Sequence, residues 1–209
     1  MSAGTGLDRP HVWLPGEGAP LLLLHGTGGD EHDLLPLRDH LAPGAPTLSV
    51  RGTVLENGMP RFFRRLEEGV FDEADMEARA DELGDFLATA EAEYAVAPGT
   101  WTAVGFSNGA NIASALLFRR PGALAAAVLL AAMVPWRDGP PAADLAGTRV
   151  LLSNGERDPM ATADHTTRLT DQLRSAGADL SLAPHAGGHG IDQALLPRIS
   201  RWVAGEPWA

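Results

Sequence analysis

The chain has no cysteine, and that one absence removes a disulfide framework, thiol catalysis and thiolate metal sites. It is poor in positive charge, with 16 basic against 27 acidic residues and a net charge of −11. Binding to nucleic acid or to an anionic membrane wants a basic face, so neither is expected of it. Long apolar runs are missing too: the longest, Ala123 to Val134, is too short to span a bilayer and suits a buried strand, so no stable membrane insertion is expected. The N-terminal stretch Met1 to Asp8 lacks the charged-then-apolar pattern of a secretion signal. These absences point to a soluble, cytoplasmic protein.

At 209 residues and 44% hydrophobic content, the chain suits one domain, 1–209, with a full core. Apolar, strand-like runs lie near His11 to Leu14, Leu21 to Leu24, Thr47 to Val50, Trp101 to Phe106, Ala126 to Leu130, Val150 to Ser153 and Leu180 to Ala183. Helical patterns separate several of them. In Asp72 to Ala95, apolar Met76, Ala80, Leu83, Leu87, Ala90 and Tyr94 recur at three and four, behind an acidic first turn. Helices are also expected behind Ser107, ending at Arg119-Arg120-Pro121-Gly122, over Thr162 to Ala176, and over Asp192 to Val203, where Pro197 kinks the helix or delays its start. Strands that are apolar throughout and alternate with helices imply an α/β fold, with a mostly parallel central sheet and helices on both faces. Such sheets carry their chemistry at the carboxyl ends of the strands.

Three segments place chemistry there. Gly105-Phe106-Ser107-Asn108-Gly109 is a G-x-S-x-G pentapeptide between an apolar run and a helical one. A serine hydroxyl is a poor nucleophile. A sharp strand-to-helix turn holds it clear of the backbone, beside a base and at the positive end of a helix. The competing reading of Ser107 is an ordinary helix N-cap. Downstream, the strand at Val150 to Ser153 ends in a turn carrying Asp158, with Glu156 and Asp164 as rivals, and the last strand ends in His189 between glycines, with His185 as rival. The chain order Ser107, Asp158, His189 is that of an α/β-hydrolase and not of chymotrypsin-like or subtilisin-like proteases. Upstream, Leu21 to Leu24 breaks into His25 and the glycine-rich Gly26-Thr27-Gly28-Gly29, where an α/β-hydrolase forms half of its oxyanion hole. That loop has neither the G-x-G-x-x-G pattern nor the lysine of a P-loop. His25 reads as a partly buried residue that shapes it. His32, Asp30 and Asp33 lack the partners of a metal site.

With these residues in view, the chain resembles the phospholipase/carboxylesterase branch of the α/β-hydrolases, which includes acyl-protein thioesterases and small bacterial carboxylesterases. The resemblance is carried by Leu24 to Glu31, by Arg51 to Arg65 with its Arg-Gly and Phe-Phe-Arg-Arg ends, by the elbow, and by Gly188-His189-Gly190. It implies an α/β-hydrolase fold with no large cap domain. It also implies Ser107 as nucleophile, Asp158 and His189 as its partners, and the backbone N–H groups of Thr27 and Asn108 as oxyanion donors. The expected reaction is hydrolysis of small-molecule carboxylic esters or thioesters with no cofactor and no metal, often by a homodimer. The dienelactone hydrolase type, whose nucleophile is a cysteine, is set aside for want of one.

The stretch 52–70 is a long, weakly periodic connection for such a fold, and long ordered loops at the functional edge are often pocket walls or lids. Phe62, Phe63, Met59 and Val70, with Met133, Val134 and Pro135 opposite, are candidates for an acyl-binding wall; anchoring the loop to the core is the competing reading. On the wall reading, Phe62→Ala or Phe63→Ala shifts acyl preference more than stability. Arg51, Glu56, Asn57 and Arg64 read as an internal salt-bridge network ahead of a substrate-binding set. A histidine base must begin neutral, so turnover is expected to rise through the ordinary histidine range. The sequence thus points to a serine hydrolase for esters of short to medium acyl chain. A lysophospholipase or acyl-protein thioesterase, and a non-catalytic binding protein on the same fold, are the alternatives.

Overall fold

Four consecutive leucines set the layering. Successive strand side chains point to opposite faces, so Leu21 and Leu23 enter one apolar cluster and Leu22 and Leu24 another, all fully buried. The computed structural model describes residues 7–208; the stretch 1–6, read above as lacking a leader pattern, falls outside it.

In chain order the strands are β1 (His11–Leu14), β2 (Leu21–Leu24), β3 (Thr47–Val50), β4 (Val54–Glu56), β5 (Met59–Arg61), β6 (Arg65–Glu67), β7 (Val70–Phe71), β8 (Trp101–Phe106), β9 (Leu124–Leu130), β10 (Arg149–Ser153) and β11 (Asp179–Leu182). The helices are α1 (Leu35–Leu41), α2 (Glu73–Tyr94), α3 (Asn108–Arg119), α4 (Ala163–Ser175) and α5 (Leu196–Val203). Seven strands form one sheet in the order β1-β3-β2-β8-β9-β10-β11, parallel except for the edge pair β1 and β3. Leu37 and Leu41 of α1 and Ile199 and Trp202 of α5 join the cluster of Leu21 and Leu23. The apolar stripe of α2, the apolar residues of α3, and Leu169 and Leu173 of α4 join the other. This is the α/β-hydrolase architecture with helices on both faces.

Local chemistry explains the helix bounds. Asp72 caps α2 by accepting the Asp75 N–H at 3.1 Å, and Glu73 and Asp75 place negative charge on its first turn. Thr162 caps α4 in the same way, its hydroxyl accepting the His165 N–H. Arg119 and Arg120 at the end of α3 pair with Glu77, Asp81 and Asp85 on α2, which joins the two helices through charge as well as apolar contact. Pro197 sits in the first turn of α5, after a 3₁₀ turn at Gln193–Leu195, so the proline delays the helix rather than kinking it. Among the described residues no helix is long and apolar enough to cross a membrane.

Two features differ from expectation. α1 was not anticipated: it has only seven residues, with Pro36 in its first turn. The stretch 52–70 is not an irregular loop but two antiparallel hairpins, β4–β5 and β6–β7. The first turns at Asn57-Gly58, both at positive φ (52° and 79°), the backbone that a two-residue hairpin turn matching strand twist requires.

Candidate active site

Ser107 lies between β8 and α3 with φ 53° and ψ −115°, a conformation that costs a non-glycine residue free energy and is held by its surroundings. Its N–H donates to Leu130 O at 2.9 Å, tying the turn to the end of β9. The flanking glycines are demanded by contact. A Cβ on Gly109 would lie 1.9 Å from Leu24 O, and one on Gly105 2.4 Å from Gly109 O. The serine makes no capping bond to α3, so the N-cap reading fails; its Oγ lies 2.8 Å from His189 Nε2.

His189 follows β11, and its other ring nitrogen, Nδ1, lies 2.8 Å from Asp158 Oδ2. A carboxylate only accepts, so Nδ1 carries the proton and Nε2 is left to accept the Ser107 hydroxyl hydrogen. Asp158 follows β10; its side chain is wholly buried, and its Oδ1 accepts the N–H groups of Met160 (2.8 Å) and Ala161 (3.0 Å). The turn-former reading and the partner reading of Asp158 therefore both describe it: one oxygen closes the turn and the other orients the imidazole. Its rivals do not enter the chain of bonds. Asp164 pairs with Arg168, and His185 Nδ1 accepts the Gly187 N–H, shaping the loop that carries His189.

Thr27 follows β2 and Asn108 heads α3. Neither backbone N–H donates to another described group, and the first turn of a helix leaves such donors free. Beneath this loop His25 Nε2 accepts the Gly52 N–H at 2.9 Å, and its Nδ1 lies 2.6 Å from Gly26 O. Burial pushes the His25 pKa down, against a smaller upward pull from the Gly26 carbonyl and nearby carboxylates, so the ring is a neutral bracket.

The wall residues need correction. Phe62 and Phe63 are 1% and 0% exposed, and Met133 and Val134 are buried as well. Phe62 packs on His25 with ring centroids 4.8 Å apart, and Phe63 meets Phe71 edge-on at 5.1 Å. They anchor the hairpins to the core and offer a substrate no surface. Of the group, Met59 faces outward, its sulfur 3.6 Å from where a Cβ on Gly28 would stand. Three of the polar set are ion-paired within the fold, Arg51 with Glu31 and Asp30, Arg64 with Asp72 and Asp75, and Glu56 with Arg61 and Arg65, whereas Asn57 serves the hairpin turn. The sequence reading named Asn108 for its backbone N–H but passed over the asparagine side chains that hold the site. Asn108 Oδ1 accepts the Phe62 N–H (2.7 Å), Asn111 Oδ1 the Met133 N–H (2.9 Å) and Asn154 Oδ1 the Ala132 N–H (2.8 Å). Their one signal was an amide side chain in or just after an apolar run.

Comparison with known proteins agrees with this fold. The sequence profile of the dienelactone hydrolase family matches residues 56–194. MhqD of Bacillus subtilis (strain 168) is 48% identical over 182 residues, covering 87% of this chain and 90% of that one. The Bacillus cereus carboxylesterase structure superposes with a TM-score of 0.91 at 44% identity, covering 95% of this chain and 94% of that one. A carboxylesterase from Mesorhizobium loti superposes with a TM-score of 0.84 at 31% identity, covering 96% and 92%. The dienelactone hydrolase type had been set aside for want of a cysteine. That argument constrains only the nucleophile, because Ser107 stands at the elbow, and it does not bear on descent. On the strength of its fold and this profile match, the chain belongs to the dienelactone hydrolase family of α/β-hydrolases.

Proposed function

We propose that the protein is a serine hydrolase that cleaves carboxylic esters through an acyl-enzyme on Ser107. The observation that carries this reading is the unbroken hydrogen-bonded chain from Ser107 Oγ through His189 to Asp158, with both links at 2.8 Å. His189, held in one tautomer by Asp158, accepts the serine proton as Oγ attacks the acyl carbonyl. The oxygen of the tetrahedral intermediate takes hydrogen bonds from the Thr27 and Asn108 N–H groups, and donors of this kind are worth about 3–4 kcal/mol each. His189 then protonates the leaving alcohol, and in the second half-reaction it activates water to release the acid. Carboxylesterases from Bacillus cereus and Mesorhizobium loti among its structural relatives support an ester substrate.

The acyl range we propose is short to medium. The aromatic residues that would wall a long groove are spent on the core, and Met59 is the exposed apolar residue beside the loop of Thr27. The test is hydrolysis of p-nitrophenyl esters from acetate to palmitate by the wild type and Ser107→Ala. Turnover is expected to peak at or below the octanoate and to fall by roughly 10⁵-fold or more without the serine hydroxyl. Equal turnover by Ser107→Ala would refute the acyl-enzyme, and an optimum at palmitate would refute the short groove.

A further inference from the structure

The loop that supplies Thr27 has a structural weakness. Of Gly26-Thr27-Gly28-Gly29, three residues are glycine: Gly28 has φ 83°, the left-handed backbone that favours glycine, and a Cβ on Gly26 would meet the Phe106 ring at 2.8 Å. Glycine-rich backbone loses the most freedom on being fixed and resists least being moved. An oxyanion donor has the opposite requirement, since a misplacement of about 1 Å can cost a hundredfold in rate. Thr27 is exposed, so packing does not hold it, and its side chain is the only one in the loop beyond glycine.

That side chain is gripped. Arg61, on β5 of the first hairpin, donates from Nη1 to Thr27 Oγ1 at 2.7 Å, and the neighbouring Pro60 O accepts the Gly28 N–H at 2.9 Å. Arg61 is itself immobile. It is 3% exposed, its Nε lies 3.2 Å from both Phe63 O and Glu56 Oε2, and its guanidinium sits over the Phe63 ring. A buried cation with all these partners is a rigid post, whereas Thr27 is the loose end.

We propose that Arg61 is a positioning residue for the oxyanion loop, acting through the Thr27 hydroxyl to hold the Thr27 N–H where the substrate oxyanion forms. This rests on the serine-hydrolase reading above. The hydroxyl acts as an acceptor, and Arg61 does not touch substrate. The effect therefore belongs to the transition state and shows in kcat rather than KM.

The experiment is steady-state hydrolysis of p-nitrophenyl butyrate by the purified full chain as wild type, Ser107→Ala, Arg61→Met, Thr27→Val, Thr27→Ser and the Arg61→Met/Thr27→Val pair. Either single change is expected to lower kcat by about 10- to 100-fold, with KM moving less than about threefold. The pair should be no worse than the weaker single variant, because both remove one interaction. Thr27→Ser, which restores the acceptor, should recover most of the loss. Should Arg61→Met fail to fold, Thr27→Val and Thr27→Ser decide the matter, since that position is at the surface. Wild-type kcat in Thr27→Val, or losses that multiply in the pair, would overturn the proposal and leave the hydrolase reading standing. Turnover that does not depend on Ser107 would overturn both.

Discussion

Phe62 touches two parts of the site at once, its N–H donating to Asn108, the residue after Ser107, and its ring laid on His25 beneath the loop of Thr27. Truncating so buried a ring leaves a cavity, so Phe62→Ala is expected to cost about 3–5 kcal/mol of stability. Chemical denaturation should register that loss, and the acyl-chain profile of the surviving folded enzyme should keep its optimum, the reverse of what an exposed wall residue would do. His25 contributes a second residue-level effect. Unfolded, it protonates near pH 6.5, whereas burial in the fold keeps it neutral to lower pH. The unfolded state therefore takes up more protons as the pH drops below about 6.5, and stability declines from there through the lower native pKa. His165, also lowered by burial and then by Arg168, acts in the same direction. Thermal melts of wild type and His25→Gln between pH 7.5 and 5 should show the wild type losing more Tm; parallel curves would refute the assignment.

At the scale of elements, the elbow is a packing problem before it is a chemical one. α3 begins so close to β2 that Gly109 has no room for a methyl group against the Leu24 carbonyl, and backbone does not yield as a side chain can. Gly109→Ala is expected to yield insoluble or molten protein, read by loss of a cooperative thermal transition, whereas Ser107→Ala should melt like the wild type. The same contrast explains what could be read from sequence. The seven strands of the main sheet were legible because each is a short apolar run between polar breaks, and the G-x-S-x-G glycines because their necessity is local. α1 was not legible, since seven residues with a proline and three polar side chains make too short a period. The hairpins were missed because strands of two or three residues have no periodicity to detect, although Asn57-Gly58 carried the turn signal. Hydrophobicity likewise could not tell Phe62 and Phe63 as core from Phe62 and Phe63 as pocket wall, because both uses want the same ring. Ser107, Asp158 and His189 were legible from chain order, whereas Arg61 and the asparagines act through contacts between segments distant in sequence.

The whole molecule carries a net charge of −11. A field of that sign lowers the local concentration of anionic substrates and leaves neutral ones unaffected. Its reach shrinks from about 30 Å at 0.01 M salt to about 10 Å at 0.1 M. For an ester bearing a free carboxylate, kcat/KM is therefore expected to rise across that range, while a neutral ester of the same acyl length stays level. A rise for both would point to a salt effect on the fold.

The clamp between the first hairpin and the oxyanion loop has a consequence for how this enzyme can change. Met59, the outward-facing residue beside the site, lies two positions from Arg61 on the same three-residue strand. On the positioning role proposed for Arg61, a change in residues 54–60 that moves the β4–β5 backbone would carry the Thr27 loop with it, and substrate range and rate would then shift together. A replacement of the Met59 side chain that keeps the β4–β5 pairing would leave them separable.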